Sequence, residues 1–301
     1  MLAKDVMESY VKAGRIASEV RKEARNLVRE GVPLLSICEG VEKLTREKGG
    51  VPAFPCNVCI NEVAAHYSSP PSDSSVVPRG SLVKIDIGVH VDGYIADTAT
   101  TVCLSPELDP MVQGVNEALA QALKAVAPGV RTSGIGETIE KTVGSFGFRP
   151  IWNLSGHQMT RFILHTGKSI PNVHNLSFEK LREDEVYAIE PFLTVRSAKG
   201  AVTGREREMY IHRFQKEKRL RMAESRKLLT AIKRDYRSLP FSKRWLSSIW
   251  SIDALEAAFQ ELVQERCIMG YPVLVEETGQ LVAQAEHTVI VTKDGCLVTT
   301  L

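Results

Sequence analysis

The strongest constraint on the fold is a run of β-forming residues interrupted by one short turn, KIDIGVHVDGYIADTATT at positions 84–101. The HVDG sequence in its middle is a turn signal, so the run predicts a β-hairpin. A turn at 91–92 places Asp86 directly opposite Asp97, whereas a turn at 92–93 makes Asp97 a diagonal neighbour. Because side chains alternate along a strand, both registers put the two carboxylates on the same face.

Two aspartates on one face of a hairpin pose an electrostatic problem. Opposed β-carbons are about 5 Å apart, and like charges there are destabilising. One alternative is that one aspartate is exposed and the other caps a turn, but both lie among residues such as Ile85, Ile87 and Ile95. Buried carboxylates are tolerated when they share a proton or a cation. Oxygen ligands suit divalent metals, and two ions about 4 Å apart form a hydrolytic site.

Further candidate ligands lie in separate short motifs. Glu190 interrupts the apolar run VYAIEPF, and Glu286 interrupts VAQAEHTVIV. Each could instead face water on an edge strand. His157, in NLSGH, and His165, in HTG, are eight residues apart, which in an extended chain spans about 26 Å. Spacing alone therefore does not put both on one metal, and the alternative is that one ligates while the other acts elsewhere in the cleft or is structural.

The composition is that of an ordinary globular protein, with 44% hydrophobic and 25% charged residues in a chain of 301. The net charge of +2 gives no bias towards DNA or a membrane surface, and no apolar run is long enough to span a bilayer. Six cysteines do not suggest a disulfide scaffold, so a cytoplasmic location is expected. Cys56 and Cys59 form a CxxC without a second pair, which favours two free thiols near the mouth of the site over zinc.

The chain alternates between helical and strand-like segments. Helical periodicity marks 4–48, 111–147 and 253–267, and strand-like patterns mark 51–104, 150–203 and 281–300. Residues 205–245 contain 14 Lys or Arg and 5 Asp or Glu, with helix-forming residues throughout. These patterns predict an α+β domain with a helical insertion at 205–270.

Several motifs occur together in one order: INEVAAHY, the two aspartates, NLSGH, HTG, YAIEPF and AQAEHT. Together they closely resemble methionine aminopeptidase, type 2. KRDYRSLPF and GYPVL are similar to segments of the short archaeal-type members. The resemblance implies a single catalytic domain over 1–301 with the pseudo-twofold pita-bread α+β fold, in which 205–270 is the type 2 helical insertion.

The resemblance also implies the site residues. Two divalent ions (Co, Mn, Fe or Zn) would be held by five ligands: Asp86, Asp97, His157, Glu190 and Glu286. Catalysis would use His66, His165 and Glu190, with Glu190 as the proton shuttle and the two histidines positioning the scissile amide and stabilising the oxyanion. Substrate would bind at His66, Phe54, Leu164 and His165. The chain departs from the pattern at Ala285, where a phenylalanine is common, so an enlarged pocket or altered packing around the metal is expected.

The implied function is removal of the initiator methionine from nascent proteins whose second residue is small, by a cytoplasmic monomer. An Xaa-Pro aminopeptidase or prolidase shares the fold and the ligands, and is the alternative enzyme. A non-catalytic RNA-binding or protein-binding homologue is the alternative from another class. The basic segment 205–245 is either a solvated helix face or a transient contact with the ribosome, because phosphate contacts recruit lysine and arginine.

Overall fold

A computed structural model of the protein describes residues 2–246 and 252–301. The helices are α1 (Lys4–Leu27), α2 (Leu34–Glu47), α3 (Asp109–Ala125), α4 (Thr132–Ser145), α5 (Ala223–Asp235), α6 (Lys243–Leu246) and α7 (Ile252–Gln264). The strands are β1 (Val51–Pro52), β2 (Asn57–Ile60), β3 (Val63–Ala65), β4 (Leu82–Val91), β5 (Tyr94–Cys103), β6 (Phe148–Pro150), β7 (Ser155–Thr160), β8 (Ile163–Pro171), β9 (Val186–Ile189), β10 (Phe192–Val195), β11 (Val202–Phe214), β12 (Phe241–Ser242), β13 (Ile268–Glu276), β14 (Val282–Gln284), β15 (His287–Thr292) and β16 (Gly295–Val298). The α+β class predicted from the sequence is confirmed.

Two helix pairs cover two halves of the strand structure. The apolar faces of α1 and α2 pack on β4 and β5, around residues such as Ile16, Ile37 and Ile85. The apolar faces of α3 and α4 pack on β9 and β15, around residues such as Ile139 and Val289. The strands between the two pairs are therefore buried on one face by helices, and their other face is free to form a site. Among the described helices, none is long and apolar enough to cross a membrane.

The hairpin of β4 and β5 has the second of the two predicted registers. Val91 pairs with Tyr94, so Asp92 and Gly93 form the turn, with φ angles of 52° and 88°. Positive φ at both positions is the geometry of a type I′ turn, which matches the twist of paired strands. Asp97 consequently pairs with Gly88, and Asp86 is its diagonal neighbour on the same face.

The two strands that carry the candidate glutamates are broken at those residues. Glu190 and Pro191 separate β9 from β10, and Ala285 and Glu286 separate β14 from β15. Because β9 pairs with β15 and β10 with β14, the two breaks lie opposite each other. The apolar run VYAIEPF thus forms two strands that belong to different sheets. This arrangement directs both glutamates towards the same place.

The predicted helical insertion begins later than the sequence indicates. Residues 205–214 continue β11, which pairs with β12 and β13, so the prediction of helix from 205 is wrong. The side chains of Arg205, Glu206 and Arg207 are exposed on this strand. Charged residues of these types are equally typical of a solvent-exposed helix, which explains the wrong prediction. The helical part consists of α5, α6 and α7, which pack around a core of their own, and β13 follows from Ile268. Residues 247–251 of the predicted insertion lie outside the described residues.

A buried ion pair anchors the insertion to α2. Arg244 donates from Nη1 and Nη2 to the two carboxylate oxygens of Glu42, at 2.7 and 2.8 Å. The side chains of Arg244 and Glu42 are 7% and 4% exposed. The indole N–H of Trp245 donates to the same carboxylate, at 2.7 Å. This bidentate ion pair, in which both oxygens of Glu42 accept hydrogen bonds, fixes the position and orientation of the insertion relative to α2.

Replacing Arg244 by alanine should destabilise the fold strongly, because the buried carboxylate of Glu42 would lose its only ion-pair partner among the described residues and keep only neutral N–H donors. We expect a loss of about 3–5 kcal/mol in the free energy of unfolding, measured by urea denaturation. Lys43→Ala is the matched control, since Lys43 pairs with Glu47 at the surface, where the side chains are 75% and 55% exposed. That variant should lose about 0.5 kcal/mol or less; equal losses would contradict the burial argument.

Candidate active site

Four carboxylates and one histidine converge between the two halves of the fold. Asp86 and Asp97 come from the hairpin, and Glu190 and Glu286 come from the two strand breaks. His157, on β7, lies between them: its Nε2 is 3.4 Å from Glu190 Oε1 and 3.6 Å from Asp97 Oδ2. Ligand atoms of Asp97, His157 and Glu286 all lie within 4.8 Å of one another.

Hydrogen bonds fix the hairpin to the break that carries Glu286. The Asp97 backbone N–H donates to Thr288 Oγ1 at 2.7 Å, and the same hydroxyl donates to the Asp97 carbonyl at 2.8 Å. The Thr98 hydroxyl donates to the Glu286 carbonyl at 2.8 Å, and the Glu286 N–H donates to the Ala99 carbonyl at 3.1 Å. The positions of Asp97 and Glu286 are therefore fixed relative to each other by main-chain contacts.

The electrostatics of this cluster are unfavourable for a metal-free site. Burial raises the pKa of Asp86 to about 7. Burial, and then repulsion from neighbouring carboxylates, raises the pKa values of Asp97, Glu190 and Glu286 well above their usual range. Burial also holds the pKa of His157 well below its ordinary value, which keeps the ring neutral and able to act as a ligand.

Unpartnered atoms show that the residues fit a bound cation. Among the described residues, the buried oxygens Asp86 Oδ1, Asp97 Oδ1 and Glu286 Oε2 have no hydrogen-bond partner. Buried polar atoms in native proteins are normally paired, so each such exception needs a cause. Carboxylate oxygens together with a neutral imidazole form a donor set that suits divalent transition metals. The cluster therefore has the composition and the unsatisfied atoms of a metal site.

A cavity of about 200 Å³ opens beside the cluster. All nine residues singled out from the sequence line it: Phe54, His66, Asp86, Asp97, His157, Leu164, His165, Glu190 and Glu286. His157 and His165, which spacing alone did not bring together, lie side by side because β7 and β8 form a hairpin. The ring centroids of His157 and His165 are 4.2 Å apart. The extended-chain spacing missed the turn between them.

His66 is held in an uncommon backbone conformation, with φ of 69°. Its N–H donates to Asn57 Oδ1 at 2.8 Å, and its Nδ1 lies 3.2 Å from the Pro272 carbonyl. Because a carbonyl only accepts, Nδ1 carries the proton and Nε2 is left as an acceptor. Asn57 and Tyr271 also line the cavity, and neither is predicted from the sequence as a site residue. Tyr271 lies within GYPVL and Asn57 lies just before INEVAAHY, but their types carry no specific chemical signal.

The position of Phe54 depends on the glycine opposite Asp97. A β-carbon added to Gly88 would lie 2.2 Å from the Phe54 ring, which is far too close. Gly88 therefore makes room for the ring between the hairpin and the cavity. Phe54 packs in an apolar cluster that also contains Leu164 and Leu239, so it belongs both to the core and to the cavity wall.

The expected location of the two thiols is wrong, and of the two alternatives for Ala285 the enlarged pocket is wrong. Cys56 and Cys59 are free but buried, at 2% exposure each, and do not lie at the mouth of the site. They lie three apart on or beside β2, so they enter different apolar clusters. Ala285 is also buried and packs into the core under α3 and α4. It does not line the cavity, so it does not enlarge it.

Comparison with known proteins places the chain in a family. A family model described as metallopeptidase family M24 matches residues 8–293. The chain belongs to metallopeptidase family M24. A methionine aminopeptidase from Methanothermobacter thermautotrophicus is 47% identical over 298 residues, which cover 98% of this chain and 99% of that relative. Within family M24, the chain therefore groups with the methionine aminopeptidases.

Solved structures show that the M24 fold extends over the chain. The structure of a thermophilic Arx1 has a TM-score of 0.83 and 19% identity, covering 99% of this chain and 91% of that one. Methionine aminopeptidase from Thermotoga maritima has a TM-score of 0.71 and 20% identity, covering 99% and 98%. At these identities the likeness concerns the fold alone, and the predicted pita-bread fold is confirmed. Membership of a metallopeptidase family agrees with the donor set of the cluster.

Replacing Asp97 by asparagine should stabilise the metal-free protein at high pH. The pKa of Asp86 is about 7 in the folded chain, against an ordinary value of 3.8. A raised pKa means that the folded state binds more protons than the unfolded state. The contribution of Asp86 to the free energy of unfolding therefore falls as the pH rises from about 4 through about 7. Burial, and then repulsion from Asp86, raises the pKa of Asp97, so removing the Asp97 charge should raise the melting temperature of the metal-free protein at pH 8.

The measurement is thermal unfolding of metal-stripped wild-type and Asp97→Asn protein at pH 5 and pH 8. At pH 5, below the raised pKa of Asp86, repulsion within the pair is weaker, so the substitution should change the melting temperature less than at pH 8. The same variant should lose divalent-metal binding at both pH values. An equal change in melting temperature at pH 5 and pH 8 would contradict charge repulsion as the cause.

Proposed function

We propose that this chain is a metal-dependent aminopeptidase that removes the initiator methionine from nascent proteins in the cytoplasm, acting as a monomer. The observation that carries the proposal is the set of unpartnered buried carboxylate oxygens around His157, beside a cavity, in a chain of family M24. The high identity to methionine aminopeptidases supports methionine as the residue removed.

Asp86, Asp97, His157, Glu190 and Glu286 would hold two divalent ions, drawn from Mn, Fe, Co and Zn. When bound, such ions supply Lewis-acid activation of a water and of the peptide carbonyl. Four carboxylates balance the charge of two divalent ions, which supports two rather than one. Elemental analysis of protein purified without added metal identifies the ions and their number.

The remaining chemistry belongs to residues that face the cavity. Glu190 lies at the break between two strands, with its oxygen 3.4 Å from His157, and serves as the proton shuttle. His66 presents an unprotonated Nε2, so it accepts a hydrogen bond from the N–H of the scissile amide. It is not a donor to the developing oxyanion, and that role falls to His165, which lines the same cavity.

The cavity suits an unbranched apolar side chain. Its volume of about 200 Å³ is shared with the cluster, and Phe54 and Leu164 line it beside Phe192 and Ile211. Pockets of this kind hold a ligand by apolar contact and orient it through a few polar groups. The free α-amino group of a substrate would be held at the metal-loaded cluster beside it, which would account for action at the N-terminus rather than within a chain.

Metal-reconstituted protein should cleave the peptide Met-Ala-Ser and leave an Xaa-Pro peptide intact. Asp97→Ala should abolish cleavage, with the far-ultraviolet circular dichroism spectrum unchanged. Glu183→Gln is the matched control, because Glu183 is an exposed carboxylate outside the cavity, and it should retain full activity. Cleavage of the Xaa-Pro peptide alone would support the prolidase alternative. Cleavage of neither would support a non-catalytic binder, and full activity of Asp97→Ala would contradict the metal mechanism.

The basic segment 205–245 supports a second element of the proposal, a transient ribosome contact. Within it, Lys216, Lys218, Arg219 and Arg221 are exposed in one short stretch before α5. Lys218 is 3.6 Å from Glu265, so part of this charge is offset within the protein. The remaining positive charge is available to ribosomal RNA through phosphate groups.

Charge reversal at Arg219 should weaken co-sedimentation with ribosomes at low salt. Removing one phosphate contact reduces the slope of the salt dependence of binding by about one unit. Lys141→Glu, on the exposed face of α4, makes the same change in net charge at a distant place and should have little effect. If the wild-type protein does not co-sediment with ribosomes at low salt, the ribosome contact is refuted.

A further inference from the structure

The guanidinium of Arg21, on α1, reaches the metal-binding cluster from outside the cavity. Arg21 is not among the residues that line the cavity. Its Nη1 donates to the hydroxyl of Thr98, which directly follows Asp97, and lies 3.0 Å from Nδ1 of His287, which directly follows Glu286. One side chain therefore contacts the residue next to each of two candidate ligands.

We infer that Arg21 is a positioning residue for the metal centre. It raises metal affinity by holding Thr98 and His287, the residues that directly follow the candidate ligands Asp97 and Glu286. The inference rests on the proposed function, because it requires a metal at this cluster. It concerns a residue that touches neither substrate nor metal and acts through its neighbours.

The direction of each hydrogen bond follows from the chemistry of arginine. A guanidinium only donates, so the Thr98 oxygen accepts from Arg21 and its own proton is free to point elsewhere. That proton goes to the Glu286 carbonyl, 2.8 Å away. By the same reasoning, Nδ1 of His287 accepts, and the ring proton lies on Nε2. Arg21 thus orients both the hydroxyl that holds Glu286 and the ring beside it.

The segment after Glu286 is held from a second direction as well. Thr300 Oγ1 lies 2.7 Å from Nδ1 of His287 and accepts the N–H of Thr288 at 3.1 Å. Thr288 in turn exchanges two hydrogen bonds with the backbone of Asp97. Arg21 joins this network where the two ligand-bearing segments meet, so its loss removes a contact to both segments at once.

Charge pairing does not account for the position of Arg21. Within residues 2–246 and 252–301, it forms no ion pair with a carboxylate at 4.0 Å or less, and its contacts are with neutral groups. Removing a cation from water is costly when its partners are neutral. The burial of Arg21 is therefore explained by a role for its hydrogen bonds and not by charge pairing. Arg21 is close enough to Glu286 to lower the pKa of that carboxyl, but this effect is smaller than burial and carboxylate repulsion.

The chain provides a matched control one turn further along α1. Arg25 donates from Nη1 to the hydroxyl of Thr100 at 2.7 Å, which repeats the contact between Arg21 and Thr98 two residues along β5. Thr100 does not adjoin a candidate ligand. Arg25→Met therefore removes the same kind of bond from the same helix and strand, without touching the segment of Glu286.

The experiment is calorimetric titration of Mn²⁺ into metal-stripped wild-type, Arg21→Met and Arg25→Met protein, after circular dichroism has shown that each is folded. By analogy with other residues that orient metal ligands, Arg21→Met should bind at least about tenfold more weakly. Arg25→Met should bind as the wild type does. The sign is informative: removing a nearby cation by itself would strengthen cation binding. Unchanged or tighter binding by Arg21→Met would overturn the inference.

A second pair of variants covers the case in which Arg21→Met does not fold. Thr98→Val removes the hydroxyl that links Arg21 to the Glu286 carbonyl and keeps the side-chain shape, and Thr100→Val is its control. Weaker Mn²⁺ binding by Thr98→Val alone supports the inference, and equal affinity of both variants overturns it. Failure of the wild-type protein to bind Mn²⁺ would instead overturn the metal centre of the proposed function.

Discussion

Four carboxylates in one buried volume are the constraint on which the rest of this structure depends. Burial raises the pKa values of Asp86, Asp97, Glu190 and Glu286, and repulsion from neighbouring carboxylates raises those of the last three further. Three oxygens of Asp86, Asp97 and Glu286 have no hydrogen-bond partner. Such a cluster would relax by moving apart if its backbone were free to move. The fold prevents this for Asp86, Asp97 and Glu286 by placing them on segments whose main-chain groups are already committed to hydrogen bonds. The repulsion is then available to favour binding of divalent cations.

The two strand breaks show how the backbone meets this requirement. A glutamate inside a regular strand would point directly above or below its sheet. At Glu190 the chain passes from the five-stranded sheet to the three-stranded sheet, and at Glu286 it passes back. Both glutamates therefore lie outside the regular strands and line the same cavity. Pro191 has no N–H to donate, which suits a position where sheet pairing stops. Paired breaks therefore bring two candidate ligands to one cavity while the strands on either side remain paired.

The sequence predicted features that depend on local periodicity. The alternation of side chains placed Asp86 and Asp97 on one face, and the VDG turn limited the hairpin to two registers, one of which the structure has. Features that depend on distant contacts were not predictable in this way. Phe162 has a positive φ of 58° in the turn that brings His165 to His157, and neither glycine nor asparagine marks that turn. Its N–H is held by the carbonyl of Gly93, which is distant in sequence. The tautomer of His66 likewise depends on Pro272, from a strand about two hundred residues later.

The insertion also contributes to the wall of the cavity. Pro240, just before β12, lines the cavity, and Leu239 packs in the cluster that contains Phe54 and Leu164. The same segment leads directly to Arg244, whose buried pair with Glu42 ties it to α2. Helix α2 packs on the hairpin that carries Asp86 and Asp97. The ion pair therefore connects the part of the insertion that lines the cavity to the hairpin that carries two of the candidate ligands. A displaced insertion would therefore move the apolar wall relative to the acidic cluster, and would change where an N-terminal side chain is held without changing any ligand.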